Sequence, residues 1–174
     1  LVSRSAAIYA DPKRPNEASA YAFDINARGY LSKAMNTPKL NAVVEYIEEV
    51  LTADPKNKVV LFSFFKENLR LIKEATSKVT KSVLFMGGMS AQDRDDSKQQ
   101  FGTDPDTRLF LSSDAGGYGV DLPMANYLIS YDLPWSSGKL EQREARIIRL
   151  SSEFPHVTIA TFVMQGSIEE RQYE

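Results

Sequence analysis

The sequence predicts an α/β fold in which a mainly parallel sheet is covered by helices on both faces. Three observations predict it. Short apolar runs of strand length alternate along the chain with amphipathic stretches of helix length. The run at 58–64 (KVVLFSF) is apolar almost without a break, as in a strand that is buried on both sides. Asp54-Pro55, Gly87-Gly88 and the glycines at 116, 117 and 119 punctuate the joins. Successive strands separated by helices are joined by crossovers, and crossovers make neighbouring strands parallel.

The elements follow in order. Residues 1–35 hold no period for long and are broken by Asp11, Pro12, Pro15, Asn16 and Gly29, which suggests a linker or an arm packed on the body. Thr37-Pro38 opens a helix, with Thr37 as cap and Pro38 in the first helical position. Leu40, Val43, Val44, Ile47 and Leu51 form its apolar stripe, and Glu45, Glu48 and Glu49 form its wet side. After the strand at 58–64 comes a helix over 66–76, then a strand over 82–86. Ser90 caps a helix running through Phe101, with Asp93 as a partial capping-box partner. Strands follow at 107–112 and 127–131, then a helix over 138–150, a last strand at 157–163, and a terminal helix from Gly166. In such a sheet ligands gather beyond the carboxyl ends of the strands. The loops at 64–66, 87–90, 113–121 and 132–137 therefore share one rim.

Composition limits the function classes. The 174 residues suggest one domain, long enough to bury roughly 70% of the surface that the unfolded chain exposes. A formal net charge of −2 gives no global positive field, so any nucleic-acid site is a local patch or is shared with another domain. The chain has no cysteine, which excludes disulfides and thiolate metal sites and leaves a cytosolic setting as the default. No run of 18 apolar residues occurs. A first residue Leu1 and a helical pattern reaching Glu174 suggest a piece of a longer protein.

Two segments carry the chemistry. In SSDAGGYGVDL (112–122), three glycines within four positions let the backbone turn sharply and bring its amides close to a ligand, with Ser113, Asp114 and Asp121 beside them. The bend is either a loop touching phosphate or ribose, or a tight crossing with glycine for sterics alone. In EQREARIIR (141–149), Arg146 and Arg149 stand three apart on one helix face. Their guanidiniums repel unless an anion lies beside them, so either Glu141 and Glu144 pair with them or a phosphate does. Gly87-Gly88-Met89-Ser90 leads into a helix N-terminus that suits a phosphate or is a simple capped turn. Trp135, after Pro134, reads as packing. The phosphate-cradling pattern G-x-x-x-x-G-K-[ST] fails around Lys139, because Leu133 and Leu140 stand where it demands glycine and Ser or Thr.

Taken together and in this order, the segments resemble the C-terminal RecA-like domain of superfamily-two helicases, most closely the Swi/Snf-type DNA translocases. KVVLFSFFKENLRLI (58–72) is similar to motif IV, LFLSSDAGGYGVDLPMANYLISYDLPW (109–135) to motif V and the stretch after it, and QREARIIR (142–149) to motif VI. SVLFMGGMSAQDRDDSKQQF (82–101) and GSIEER (166–171) are similar to further segments of the family, and SRSAAIYADP (3–12) resembles the linker that leaves the first motor domain. The chain departs from the family pattern at Ala145, Ile148 and Asp121, where glycine, histidine and asparagine are common.

The resemblance implies a RecA-like three-layer α/β/α sandwich over 36–174, preceded by an arm from the first motor domain. It implies Arg149 as an arginine finger and Arg146 on the nucleotide phosphates. Gly117, Gly119, Asp121 and Gln142 fall at positions near the nucleotide. Ser63, Gly88, Ser90 and Ser113 fall at nucleic-acid backbone contacts. It further implies ATP and Mg²⁺ in an intact two-domain protein, no metal site in this half, and as partners double-stranded DNA, read without sequence preference, and the N-terminal RecA-like domain. A cytoplasmic, nucleoid or nuclear setting follows from such a role. An RNA helicase half of the same superfamily, which Asp121 favours, and a non-catalytic helicase-like scaffold are the alternatives.

Overall fold

The computed structural model describes residues 38–116, 120–148, 152–163 and Glu169. The arm at 1–35, most of the terminal helix, and the site candidates Gly117, Gly119 and Arg149 lie outside the described residues. The described elements run in chain order as α1 (Pro38–Ala53), β1 (Val59–Ser63), α2 (Lys66–Ala75), β2 (Lys81–Phe85), α3 (Ala91–Thr103), β3 (Thr107–Ser113), β4 (Tyr127–Ser130), α4 (Ser137–Glu144) and β5 (Thr158–Thr161).

The five strands form one sheet in the order β2-β3-β1-β4-β5, and every pairing is parallel. β1 is central and all five of its residues are buried, as its unbroken apolar run requires. Because side chains alternate across a strand, β1 feeds two cores. Val59 and Leu61 point into a cluster with Leu40, Val43 and Ile47 of α1 and Leu69 and Ile72 of α2. Val60 and Phe62 point the other way, into a cluster with Phe101 of α3, Leu122, Ala125 and Ile147. Phe110 of β3 anchors this second core, with the rings of Phe85 and Phe101 each 5.2 Å away. Helices therefore cover both faces and the layers are α/β/α.

The element ends are closed by polar side chains. Ser90 caps α3 as its position predicts: its hydroxyl accepts the Asp93 N–H at 3.0 Å and donates to the Asp93 carboxylate at 2.7 Å. The Arg108 guanidinium donates to the carbonyls of Leu51 (2.8 Å) and Asp54 (2.6 Å), satisfying the last turn of α1. The Lys58 ammonium donates to the carbonyls of Phe101 and Asp104 at the end of α3, and burial holds its pKa below the usual lysine value.

One element differs from its sequence expectation. The helix predicted over 138–150 ends at Glu144, and residues 145–147 form a turn. The Arg146 and Ile147 amides donate to carbonyls three residues back, at 3.0 and 3.1 Å, and the Arg146 carbonyl accepts the Leu122 N–H at 2.9 Å. The tightened turn lets Ile147 reach the second core, where it is fully buried.

Candidate functional site

β1, β3 and β4 lie side by side, and the chain crosses from β3 over β1 to enter β4. Their carboxyl ends therefore open at the point where the chain changes direction across the sheet, the place where such folds hold ligands. A cavity of 340 Å³ lies there. Phe62 and Phe64 line it from the end of β1, Ser113, Asp114 and Ala115 from the end of β3, Lys66 from α2, and Lys139, Gln142, Arg143 and Arg146 from α4 and its turn.

Charge decides what the cavity suits. Four basic side chains face one carboxylate, that of Asp114. Arg143 takes up that carboxylate with both sides of its fork, Nε to Oδ1 at 2.7 Å and Nη2 to Oδ2 at 3.0 Å. Its Nη1 donates to the Asp132 carbonyl at 2.6 Å, and its guanidinium lies 4.9 Å from the centre of the Phe64 ring. Arg143 is 3% exposed, and each of its three guanidinium nitrogens donates a hydrogen bond. Lys66, Lys139 and Arg146 are left to face the cavity, and among the described residues no carboxylate pairs with any of them. An anion fits this set.

Beneath the cavity lies a buried polar cluster. The Asp132 carboxylate accepts the Ser63 hydroxyl at 2.5 Å and the Phe64 N–H at 2.9 Å. The Ser63 hydroxyl in turn accepts the Phe65 N–H at 3.2 Å and the Asn68 side-chain amide at 3.3 Å. Burial pushes the Asp132 carboxyl above the usual carboxylate range, against the Lys39 charge and these two hydrogen bonds, which favour the ionised form. Lys39, from the first turn of α1, is itself held by Glu169 at 2.6 Å and lies 4.9 Å from the centre of the Tyr131 ring.

The structure brings Ser113, Gln142 and Arg146 to the cavity. Ser113 is buried, and its hydroxyl accepts the Gly87 N–H (3.1 Å) and the Gly116 N–H (3.2 Å), joining two of the loops on the rim. Ser63 pairs in register with Ser113 but is fully buried, and its hydroxyl serves the cluster under the cavity. Gly88, at φ +93°, and Ser90 are exposed on the neighbouring loop, where the Lys66 ammonium donates to the Gly87 carbonyl at 2.6 Å. Asp121 is exposed just past the bend. Trp135, expected to pack, is 58% exposed.

Sequence reasoning passed over Arg143 and Asp132. A signal for Arg143 was present, since Leu140, Arg143 and Ile147 follow helical spacing and put an arginine on the inward stripe. Asp132 carried only its place after an apolar strand.

Comparison with known proteins agrees with this architecture. Residues 38–151 match the family described as the helicase conserved C-terminal domain. The chain is 33% identical over 140 residues to the DNA repair protein RAD5 of Cryptococcus neoformans, covering 79% of this chain. It is 31% identical over 180 residues to the human DNA repair and recombination protein RAD54-like, covering 100% of this chain. It spans 12% and 24% of the lengths of those two relatives. Among solved structures, the C-terminal part of the Fun30 ATPase domain superposes with a TM-score of 0.73 at 23% identity, over 99% of this chain and 63% of the other. The Sulfolobus solfataricus SWI2/SNF2 ATPase C-terminal domain does so with a TM-score of 0.64 at 21% identity, over 89% and 64%.

Proposed function

The chain belongs to the helicase conserved C-terminal domain family, and from that premise we propose that it is the C-terminal half of an ATP-dependent DNA translocase motor of the Swi/Snf type. The observation that carries the proposal is Arg146, which faces a basic cavity at the carboxyl ends of β1 and β3 together with Gln142 and Ser113.

The residues fit a nucleotide's phosphates. Lys66, Lys139 and Arg146 supply positive charge to the cavity, and its single acid is already neutralised by Arg143. ATP with Mg²⁺ supplies the phosphoryl group to be transferred. In this reading the acids that hold Mg²⁺ and the lysine-bearing phosphate loop, a pattern this sequence lacks, belong to the preceding motor domain.

In this reading Arg146 and Gln142 bind the phosphate side of the nucleotide, and Gly117, Gly119 and Asp121 lie along its phosphates and ribose. Arg149, three residues on, reaches across the interdomain cleft as an arginine finger. Such a finger typically contributes about 10³–10⁵ in rate, because its charge is in place before the transition state forms. Gly88 and Ser90, both exposed, grip the nucleic-acid backbone, and the buried Ser113 shapes that grip through the Gly87 and Gly116 amides its hydroxyl accepts. Ser63 supports that grip from below, since its buried hydroxyl fixes the turn from β1 into α2. Contacts of this kind read phosphate and not bases, so the motor tracks DNA without sequence preference.

The test uses the full-length parent protein. Arg149→Ala is expected to abolish DNA-stimulated ATP hydrolysis while leaving much of ATP binding intact, and Arg146→Ala to abolish hydrolysis and weaken ATP binding, measured by steady-state turnover and by equilibrium titration with a labelled nucleotide. Undiminished hydrolysis in Arg146→Ala would remove the nucleotide assignment, and undiminished hydrolysis in Arg149→Ala would remove the finger assignment. Stimulation by RNA but not by DNA would transfer the proposal to an RNA helicase.

A further inference from the structure

Four cations line the cavity, and one of them, Arg143, is not free for a ligand. Its fork is spent on the Asp114 carboxylate and the Asp132 carbonyl, and the rings of Phe62 (5.6 Å) and Phe64 (4.9 Å) lie beside it. The partners identify what is being joined. Asp114 is the first residue after β3 and opens the glycine bend. Asp132 stands just beyond β4. Arg143 thus ties α4 to the carboxyl ends of two strands at once.

The other end of the bend is tied to the same unit. The Leu122 N–H donates to the Arg146 carbonyl at 2.9 Å. The bend is therefore bracketed, at its start by the Asp114–Arg143 pair and at its finish by the backbone of the very residue whose side chain faces the cavity. Between these attachments the chain has only Glu144 and Ala145 on one side and the bend itself on the other.

We infer that Arg143 is a positioning residue for ATP hydrolysis: its clamp on Asp114 and on the Asp132 carbonyl fixes the carboxyl end of β3 against the Arg146 turn, so that the strand end beside the nucleotide and the guanidinium answering its phosphates keep a fixed relative aim. The inference rests on the motor reading above. A planar fork is needed for it, because two parallel bonds fix orientation as well as distance and a third donor remains for the carbonyl. A lysine in its place supplies the charge but not the geometry. Arg143 is buried beside two aromatic rings, while the Asp114 side chain keeps 22% exposure, so water reaches the pair only from the Asp114 side.

The effect belongs to the transition state, since a small error of aim weakens catalysis more than it weakens binding. In the full-length parent protein, Arg143→Lys and Asp114→Asn are each expected to lower kcat by about 10–100-fold while the KM for ATP stays within about threefold. Rates are expressed per folded molecule, with the folded fraction taken from circular dichroism at the assay temperature. The double variant is expected to be no slower than the slower single, because either change removes the same interaction. Wild-type kcat per folded molecule in both singles, multiplying losses in the double, or a raised KM with kcat retained would each overturn the inference. Arg146→Ala separates it from its premise. If that variant still hydrolyses ATP, the motor reading fails. If it is inactive while Arg143→Lys and Asp114→Asn run at full rate, only the clamp fails.

Discussion

Asp132 shows how one residue under a cavity ties together segments that are distant in sequence. Its carboxylate orders the turn out of β1 through Ser63 and the Phe64 N–H, and its carbonyl receives Arg143. Burial raises its pKa, Glu169 adds to the rise, and Lys39, Ser63 and the Phe64 N–H oppose it. In the unfolded chain the same carboxyl titrates in the ordinary range, so the folded state holds the proton more tightly. The resulting stabilisation is complete below the unfolded value and is lost as the pH rises through the raised folded value. Asp132→Asn keeps an acceptor for both donors and cannot titrate. It is expected to lose that downward slope, seen as urea midpoints that change less than the wild type's between about pH 4 and about pH 8. Equal slopes in the two proteins would show that another group sets the dependence.

The elements were legible because each has a local cause. Pro38 starts α1, Ser90 starts α3, and the apolar run of β1 reads as a central strand, because propensity, capping and periodicity act within a few residues. The end of α4 was not legible, because it is set by Leu122 and by the second core, both distant in sequence from Glu144. The bend after β3 shows the same division. Its glycines announce a close approach, but what they approach appears only in the fold. A β-carbon on Gly116 would lie 2.4 Å from the Phe85 carbonyl oxygen, a main-chain atom that cannot swing aside. Gly116→Ala is therefore expected to destabilise the domain by about 1–3 kcal/mol or more, read from chemical denaturation. A midpoint unchanged from the wild type would show that the β2 end yields freely.

At the scale of the whole molecule, the proposed function makes the cavity one wall of a cleft. It offers positive charge but, among the described residues, no acids placed for a metal ion, and the sequence has no lysine-bearing phosphate loop. The isolated chain is accordingly expected to show no ATPase activity above background with or without DNA, in a phosphate-release assay. Substantial turnover by the purified chain would mean that a complete site lies within it. In the parent protein the backbone grip is expected to weaken steeply with salt, because each phosphate contact releases condensed counterions.

By itself, the sequence determined the α/β class, most element boundaries, the rim on which the ligand loops gather, and the motifs that include Ser113, Gln142 and Arg146. These depend on periodicity and on spacing along the chain, which a linear reading retains. Only the tertiary structure decided that Arg143 and not Arg146 neutralises Asp114, that Ser63 is buried beneath the cavity and that Asp132 holds two segments in place. Each of these joins residues brought together by the strand order β2-β3-β1-β4-β5. Burial then makes such pairings selective, because a charge removed from water must find a partner within reach of its own side chain.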